Sequence, residues 1–291
     1  MTLQGSTALN HANLIEKTLV CMLMNPGEYK EMLAYTQNLY GAKDLLWSWT
    51  MRNIRARYQQ SALGWLWAVF QPAAQVAIFT LIFTVFVPVD TGDTPYPVFS
   101  YVAIAPWTLM AASVTDMAQA LVANMNLVTK IYFPREVLPI AAMLARLLDF
   151  GVAISLLIIL MLIYKVTFFP LSLIYLPLIL FIQLLLIMGL GLASSAANVF
   201  FRDVQSLLTL GIQLWFYASP IIYPMSMVPE RLRRLYFLNP MAGLLESYRD
   251  VLLNNRVPGD YLVFSLVISL LIFVVGYWFF KRVEFLFADI V

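Results

Sequence analysis

Charge is scarce in this chain. Of its 291 residues, 12% are Asp, Glu, Lys or Arg and 62% are hydrophobic, and the formal net charge is only +2. So weak a positive balance gives no electrostatic footprint for a nucleic acid partner. Cysteine and histidine are nearly missing. Cys21 and His11 are the sole examples, which excludes an internal disulfide framework and a Cys/His metal site. His11 lies in a polar leader and reads as a solvated residue. No G-x-x-x-x-G-K-[ST] loop is present to cradle nucleotide phosphates, so the chain has no route of that kind to ATP hydrolysis. An H-E-x-x-H pair and a nucleophile elbow are missing as well. Catalytic residues are therefore not expected. Residues 1–13 lack the charged-then-apolar pattern of a cleaved signal, so the first apolar run is expected to act as an uncleaved insertion signal.

What the chain has in abundance is long apolar runs, with a mean hydropathy of +0.80. About 20 apolar residues cross a bilayer core as a helix. Six such runs lie near 66–87, 99–121, 138–164, 171–199, 206–223 and 261–280. The expected fold is an all-α polytopic membrane protein, which presents its surface to membrane lipids. Six crossings put both termini on one side, and that side collects eleven Lys and Arg residues against six on the other. By the positive-inside bias both termini are cytoplasmic.

Three segments fall outside the spans. Residues 1–42 form a leader. Residues 43–62 are expected to form an amphipathic interface helix: Leu45, Leu46 and Trp49 share a face, Trp47 adds a second indole, and Arg52, Arg55, Arg57 and Tyr58 follow. Apolar, aromatic and basic groups together suit a helix lying among lipid headgroups. Gating of a pore entrance and simple anchoring both fit that placement. The remainder, 63–291, is one membrane domain. Within it, Pro134 favours a break at Phe133, so a short helix is expected at about 126–132. After Pro220 and Pro224, RLRRLYFL and MAGLLESYRDVLL are helical in period but too short to cross, which predicts re-entrant helices at about 225–258.

Charges inside spans are costly and face the protein interior. Arg146 and Asp149 stand three apart on one helix and are expected to pair, whereas Asp116, near a helix end, is assigned to solvent. Among 20 Phe, 15 Tyr and 7 Trp, most suit interfacial belts. Phe70, Phe79, Phe83 and Phe86 in the first span, and Trp215, Phe216 and Tyr217 in the fifth, lie deeper and are candidate channel-lining residues. Flat apolar rings suit a sliding sugar polymer, and they equally suit core packing.

Several stretches are similar to a known family. RARYQQSALGWLWAVFQP (55–72), NLVTKIYFPREVLP (126–139), NVFFRDV (198–204), SPIIYP (219–224) and LNPMAGLLESYRDVLL (238–253) resemble, in order, permease subunits of type-2 ABC exporters. The likeness is to the branch that exports O-antigen, capsular polysaccharide and teichoic acid, and it leaves residues 1–40 uncovered. It implies a homodimer working with two copies of a separate ATPase that carries the ATP and Mg²⁺, no cofactor on this chain, and a lipid-linked glycan as substrate in the inner membrane. By that resemblance Asn126, Leu127, Val128, Lys130, Ile131 and Tyr132, with Phe133, Pro134 and Arg135 adjoining, couple to the ATPase. A drug or lipid exporter of the same architecture stays open at this stage. A membrane glycosyltransferase or secondary transporter would need clustered carboxylates that the sequence lacks.

Overall fold

The computed structural model describes residues 43–59, 66–92, 94–130, 133–166 and 172–288. The chain divides into two compact units, 1–46 and 47–291. The leader and the 60–62 end of the expected interface helix lie outside the described residues, and only Lys43–Leu46 of the first unit are described.

Among the described residues the protein is helical throughout, without a strand. Helix α1 (Lys43–Tyr58) comes first. Helix α2 (Trp67–Leu81) follows and runs on into a π turn at Ile82–Phe86. Helix α3 (Tyr96–Ala120) continues through a 3-10 turn into the six-residue α4 (Met125–Lys130). After a bend at 133–136 come α5 (Val137–Ile163), α6 (Leu176–Phe200) and α7 (Asp203–Tyr217). Two short helices, α8 (Glu230–Tyr236) and α9 (Pro240–Leu252), precede α10 (Tyr261–Val283).

Five helical stretches among the described residues are long and apolar enough to cross a membrane: Val69–Phe86, Tyr96–Lys130, Val137–Ile163, Ser172–Phe200 and Tyr261–Phe287. The run expected at 206–223 is different. Its helix, α7, has 15 residues and ends at Tyr217, three residues ahead of Pro220. At 1.5 Å per residue that helix is roughly 22 Å long, short of a ~30 Å hydrocarbon core, and the turns through Pro224 carry the chain onward.

Helix α3 is the centre of the bundle. Seventeen of its 25 residues are buried, and it packs against α2, α5, α6, α7 and α9. Pro106 removes one amide from its ladder. There, Gln183 Nε2 of α6 donates to the Pro106 carbonyl at 2.7 Å, and Tyr248 O–H of α9 donates to Gln183 Oε1 at 2.9 Å. One buried amide thus ties three helices, and the alternative, an unpaired polar group in an apolar core, is costly. Toward the α4 end, Asn198 Nδ2 donates to the Ala118 carbonyl at 2.9 Å and fixes α6 to α3 again.

Helices α6 and α10 pack backbone to backbone. A Cβ on Gly189 would lie 2.6 Å from the Ile272 carbonyl carbon, and one on Gly276 would overlap the Gly189 carbonyl. Small residues permit this approach, which supplies dispersion contact where lipid offers no hydrophobic drive. Helix α7, in contrast, has no buried residue: Leu207, Leu210 and Leu214 all face outward.

Candidate functional site

Two regions at the α4 end and one at the α9 end bring together the chemistry-bearing residues. The first is α4 and the bend after it. Asn126 and Lys130, one helical turn apart, are exposed, Leu127 is half-buried and Val128 is buried, so the helix offers an outward polar face on an apolar seat. Phe133, Pro134 and Arg135 are half-buried, while Ile131 and Tyr132 lie outside the described residues. Glu136, which closes the bend, is fully buried. Both its carboxylate oxygens accept from Lys281 Nζ at 3.1 Å, at the end of α10. The Arg135 guanidinium lies 5.7 Å from the Phe287 ring centre. Phe287 packs in turn on Phe200 of α6 and Phe280 of α10.

Beside this bend, α1 is fastened to α3 and α5 by a four-charge cluster. Arg57 donates through Nη2 to Asp116 at 2.9 Å and through Nη1 to Asp149. Arg146 donates to both Asp116 oxygens at 2.7 and 3.0 Å, and more distantly to Asp149 at 3.3 Å. The sequence pairs Arg146 with Asp149 and leaves Asp116 to water. In the folded chain Asp116 is the closer partner, because α3 and α5 cross side by side at this level. Tyr58 O–H donates to Asp149 as well. Burial, reinforced by that bond, raises the Tyr58 hydroxyl above its ordinary range, which keeps it a donor. Two arginines facing two carboxylates leave the cluster neutral. Next to it, a cavity of about 200 Å³ is lined by Trp49, Asn53, Arg57, Asp116, Gln119 and Asn124. Arg52 reaches Asn124 at 3.2 Å and stacks on Trp49 at 4.1 Å, whereas Trp47 and Arg55 border a separate open groove along α1.

The α9 end holds the aromatic residues. Phe79, Phe83, Trp215 and Phe216 enter one internal cluster: Phe79 meets Phe216 at 6.1 Å, Phe83 stacks on Tyr96 at 5.8 Å, and Trp107 of α3 meets Trp215 and Phe216 edge-on. Phe70, Phe86 and Tyr217 project outward instead. Of seven candidate rings, then, four pack within the chain, where they draw α2 and α7 against α3. Sequence reasoning missed the hub of this end, Asn239. Its Oδ1 accepts from Met241 N as the cap of α9 and from Trp215 Nε1 at 2.8 Å, and its Nδ2 donates to Ser219 Oγ at 2.9 Å. An Asn before Pro at a helix start is a readable cap signal; its reach across to residues 215–219 is not. Arg249, 2% exposed, donates to the Ile221 carbonyl at 3.0 Å and lies 3.9 Å from the Phe99 ring centre. Tyr96 O–H donates to the next carbonyl, Ile222, at 2.9 Å.

Among the described residues no cluster of His, Cys, Asp and Glu could hold a metal ion. The sequence matches the family model described as ABC-2 type transporter over residues 44–253. The chain belongs to this family. The chain also matches three curated relatives over most of both lengths. An "O-antigen export system permease protein RfbA" of Klebsiella pneumoniae is 32% identical over 85% of this chain and 95% of the relative. A protein of the same name from Myxococcus xanthus is 31% identical over 78% and 87%. The "Polysialic acid transport protein KpsM" of Escherichia coli is 27% identical over 76% and 88%. The family match takes in α4 and its bend, the four-charge cluster and the aromatic end, while Lys281 and Phe287, which pack on the bend, lie beyond it.

Proposed function

We propose that this chain is the channel-forming permease of an ATP-driven exporter that moves a lipid-linked polysaccharide, such as an O-antigen, out across the inner membrane. The observation that carries the reading is the likeness, over most of both chains, to proteins named for O-antigen export and polysialic acid transport. In this reading two copies of the chain face each other through α2 and α7, whose outward apolar residues have few partners within one copy. The path crosses six times, with the turns after α7 completing the fifth crossing, and both termini are cytoplasmic. Two copies of a separate ATPase bind ATP and Mg²⁺ and grip α4 and the bend at 133–135. The exposed Asn126 and Lys130 offer that partner polar contacts, and the half-buried Phe133 offers it an apolar one. Helix α1 lies at the inner surface, held by Arg57 and Tyr58 at the level where a lipid headgroup would enter.

Deletion of the gene, followed by complementation with wild type and with the Phe133→Ala/Pro134→Ala variant, tests this reading. The deletion strain should lack surface polysaccharide and accumulate lipid-linked polymer inside. The double variant should restore neither the surface polymer nor ATP hydrolysis stimulated in the permease–ATPase complex. A deletion strain with unchanged surface glycan overturns the substrate. A double variant that exports normally overturns the docking assignment.

A further inference from the structure

The bend after α4 is fastened to a part of the molecule far from it in sequence. Glu136 is fully buried, and Lys281 Nζ, 145 residues on, sits 3.1 Å from both of its carboxylate oxygens. A buried carboxylate needs such a partner, since an uncompensated one is strongly unfavourable. Lys281 is also 3.1 Å from Glu284, so the last turn of α10 presents one cation shared by two acids. The Arg135–Phe287 contact adds a second tie beside the first.

From Lys281 the path continues through rigid material. Helix α10 has 23 residues, which at 1.5 Å each gives a rod of roughly 34 Å. Its middle is locked to α6 through the Gly189–Gly276 backbone contact. Its far end holds α9: Ser265 Oγ donates to the Pro240 carbonyl at 3.0 Å, and Gly243 lies so close to the Tyr261 carbonyl that a Cβ there would sit 2.7 Å from its oxygen. Helix α9, through Arg249 and its cap Asn239, grips the segment 218–221 that leaves α7. Packed helices transmit displacement because close-packed interiors deform little.

We propose that Glu136 is a positioning residue that, through Lys281, makes α10 a lever joining the ATPase-docking bend to the segment after α7 at the opposite end of the bundle. A displacement of α4 then moves α10 and α6 and tugs α9 and residues 218–221, so α10 carries work done at the docking helix to the far end alongside α3. The proposal rests on the transporter reading above.

The test uses the full permease–ATPase complex, in a Cys21→Ser background carrying Ser226→Cys, an exposed position just past that segment. The rate of labelling by a membrane-impermeant maleimide is measured with and without ATP, alongside ATP hydrolysis and surface polysaccharide in cells. In the otherwise unaltered complex, ATP should change the labelling rate severalfold. Glu136→Gln and Lys281→Met should hydrolyse ATP within twofold of that complex, yet lose the ATP-dependent change in labelling and at least tenfold in export. The reversed pair Glu136→Lys/Lys281→Glu should regain both readouts to within threefold. Where a single variant fails to accumulate in membranes, the neutral pair Glu136→Gln/Lys281→Met takes its place with the same expectation. Unchanged ATP-dependent labelling in these variants overturns the lever, as does a parallel loss of ATP hydrolysis, which would make Glu136 a docking residue. An unaltered complex whose labelling responds to ATP but which exports no polysaccharide overturns the substrate reading and leaves the lever standing.

Discussion

Replacing Arg57 by leucine removes the one residue of α1 that bridges two carboxylates on two other helices, Asp116 of α3 and Asp149 of α5. The side chains of Arg57, Asp116 and Asp149 are 22%, 28% and 18% exposed, so the pairs are neither surface nor fully buried. A surface pair contributes ~0–1 kcal/mol, and breaking a buried one costs ~3–5 kcal/mol. Arg146 remains beside both acids and softens the loss, which places it at about 2 kcal/mol for the docking of α1. An opening equilibrium shifted by that amount changes roughly 30-fold. Hydrogen exchange of α1 amides in detergent or nanodiscs should therefore speed up about 30-fold in Arg57→Leu. Arg57→Lys keeps the charge but loses the planar fork that reaches both acids, and roughly a fivefold increase is expected. If α1 amides exchange within twofold of wild type in Arg57→Leu while the melting temperature drops, the cluster serves α3 and α5 only and its role in holding α1 is wrong.

Other outcomes follow from the same contacts. Gly276→Leu should abolish folded protein in membranes, since even a Cβ meets the Gly189 carbonyl; normal expression and an unchanged melting temperature in detergent would refute the backbone contact. Asn239→Ala removes a helix cap worth ~1 kcal/mol together with the Trp215 and Ser219 bonds, and thermal unfolding followed by Trp fluorescence should show a lowered midpoint. Burial pushes the Asp250 carboxyl from 3.8 up to about 6, with nearby Glu246 adding to the rise against an Asn254 hydrogen bond. The fold therefore favours the neutral acid: this contribution is complete below the unfolded value near 3.8 and is lost as pH rises through about 6. Asp250→Asn should remove the part of the stability decline between about pH 4 and 6.5 that wild type shows, at most about 3 kcal/mol; an identical pH profile for both proteins would count against it.

Much of this was readable beforehand, for definite reasons. Apolar runs announce crossings because nothing but lipid hides so much apolar surface, and five of them stand as long helices. Pro134 and Pro220 marked chain breaks because proline limits its predecessor. The run at 206–223 was harder to judge: composition alone does not reveal that α7 stops at Tyr217. Partners were least legible. The spacing of Arg146 and Asp149 offered a same-helix pair, yet Asp116, thirty residues earlier, is held more tightly because side-by-side helices outcompete a helical turn. Glu136 and Lys281 are separated by 145 residues, a distance over which no local periodicity speaks. The aromatic residues were ambiguous for a related reason: a ring on an apolar helix looks the same in the sequence whether it meets Trp107 or open lipid.

The glycine contact between α6 and α10 also has a bearing on traffic through the membrane. Where two main chains touch, no acyl tail can wedge in and no sugar can thread between, so that side of the subunit is a sealed wall. Any corridor wide enough for a bulky polymer must then open somewhere other than between these two helices.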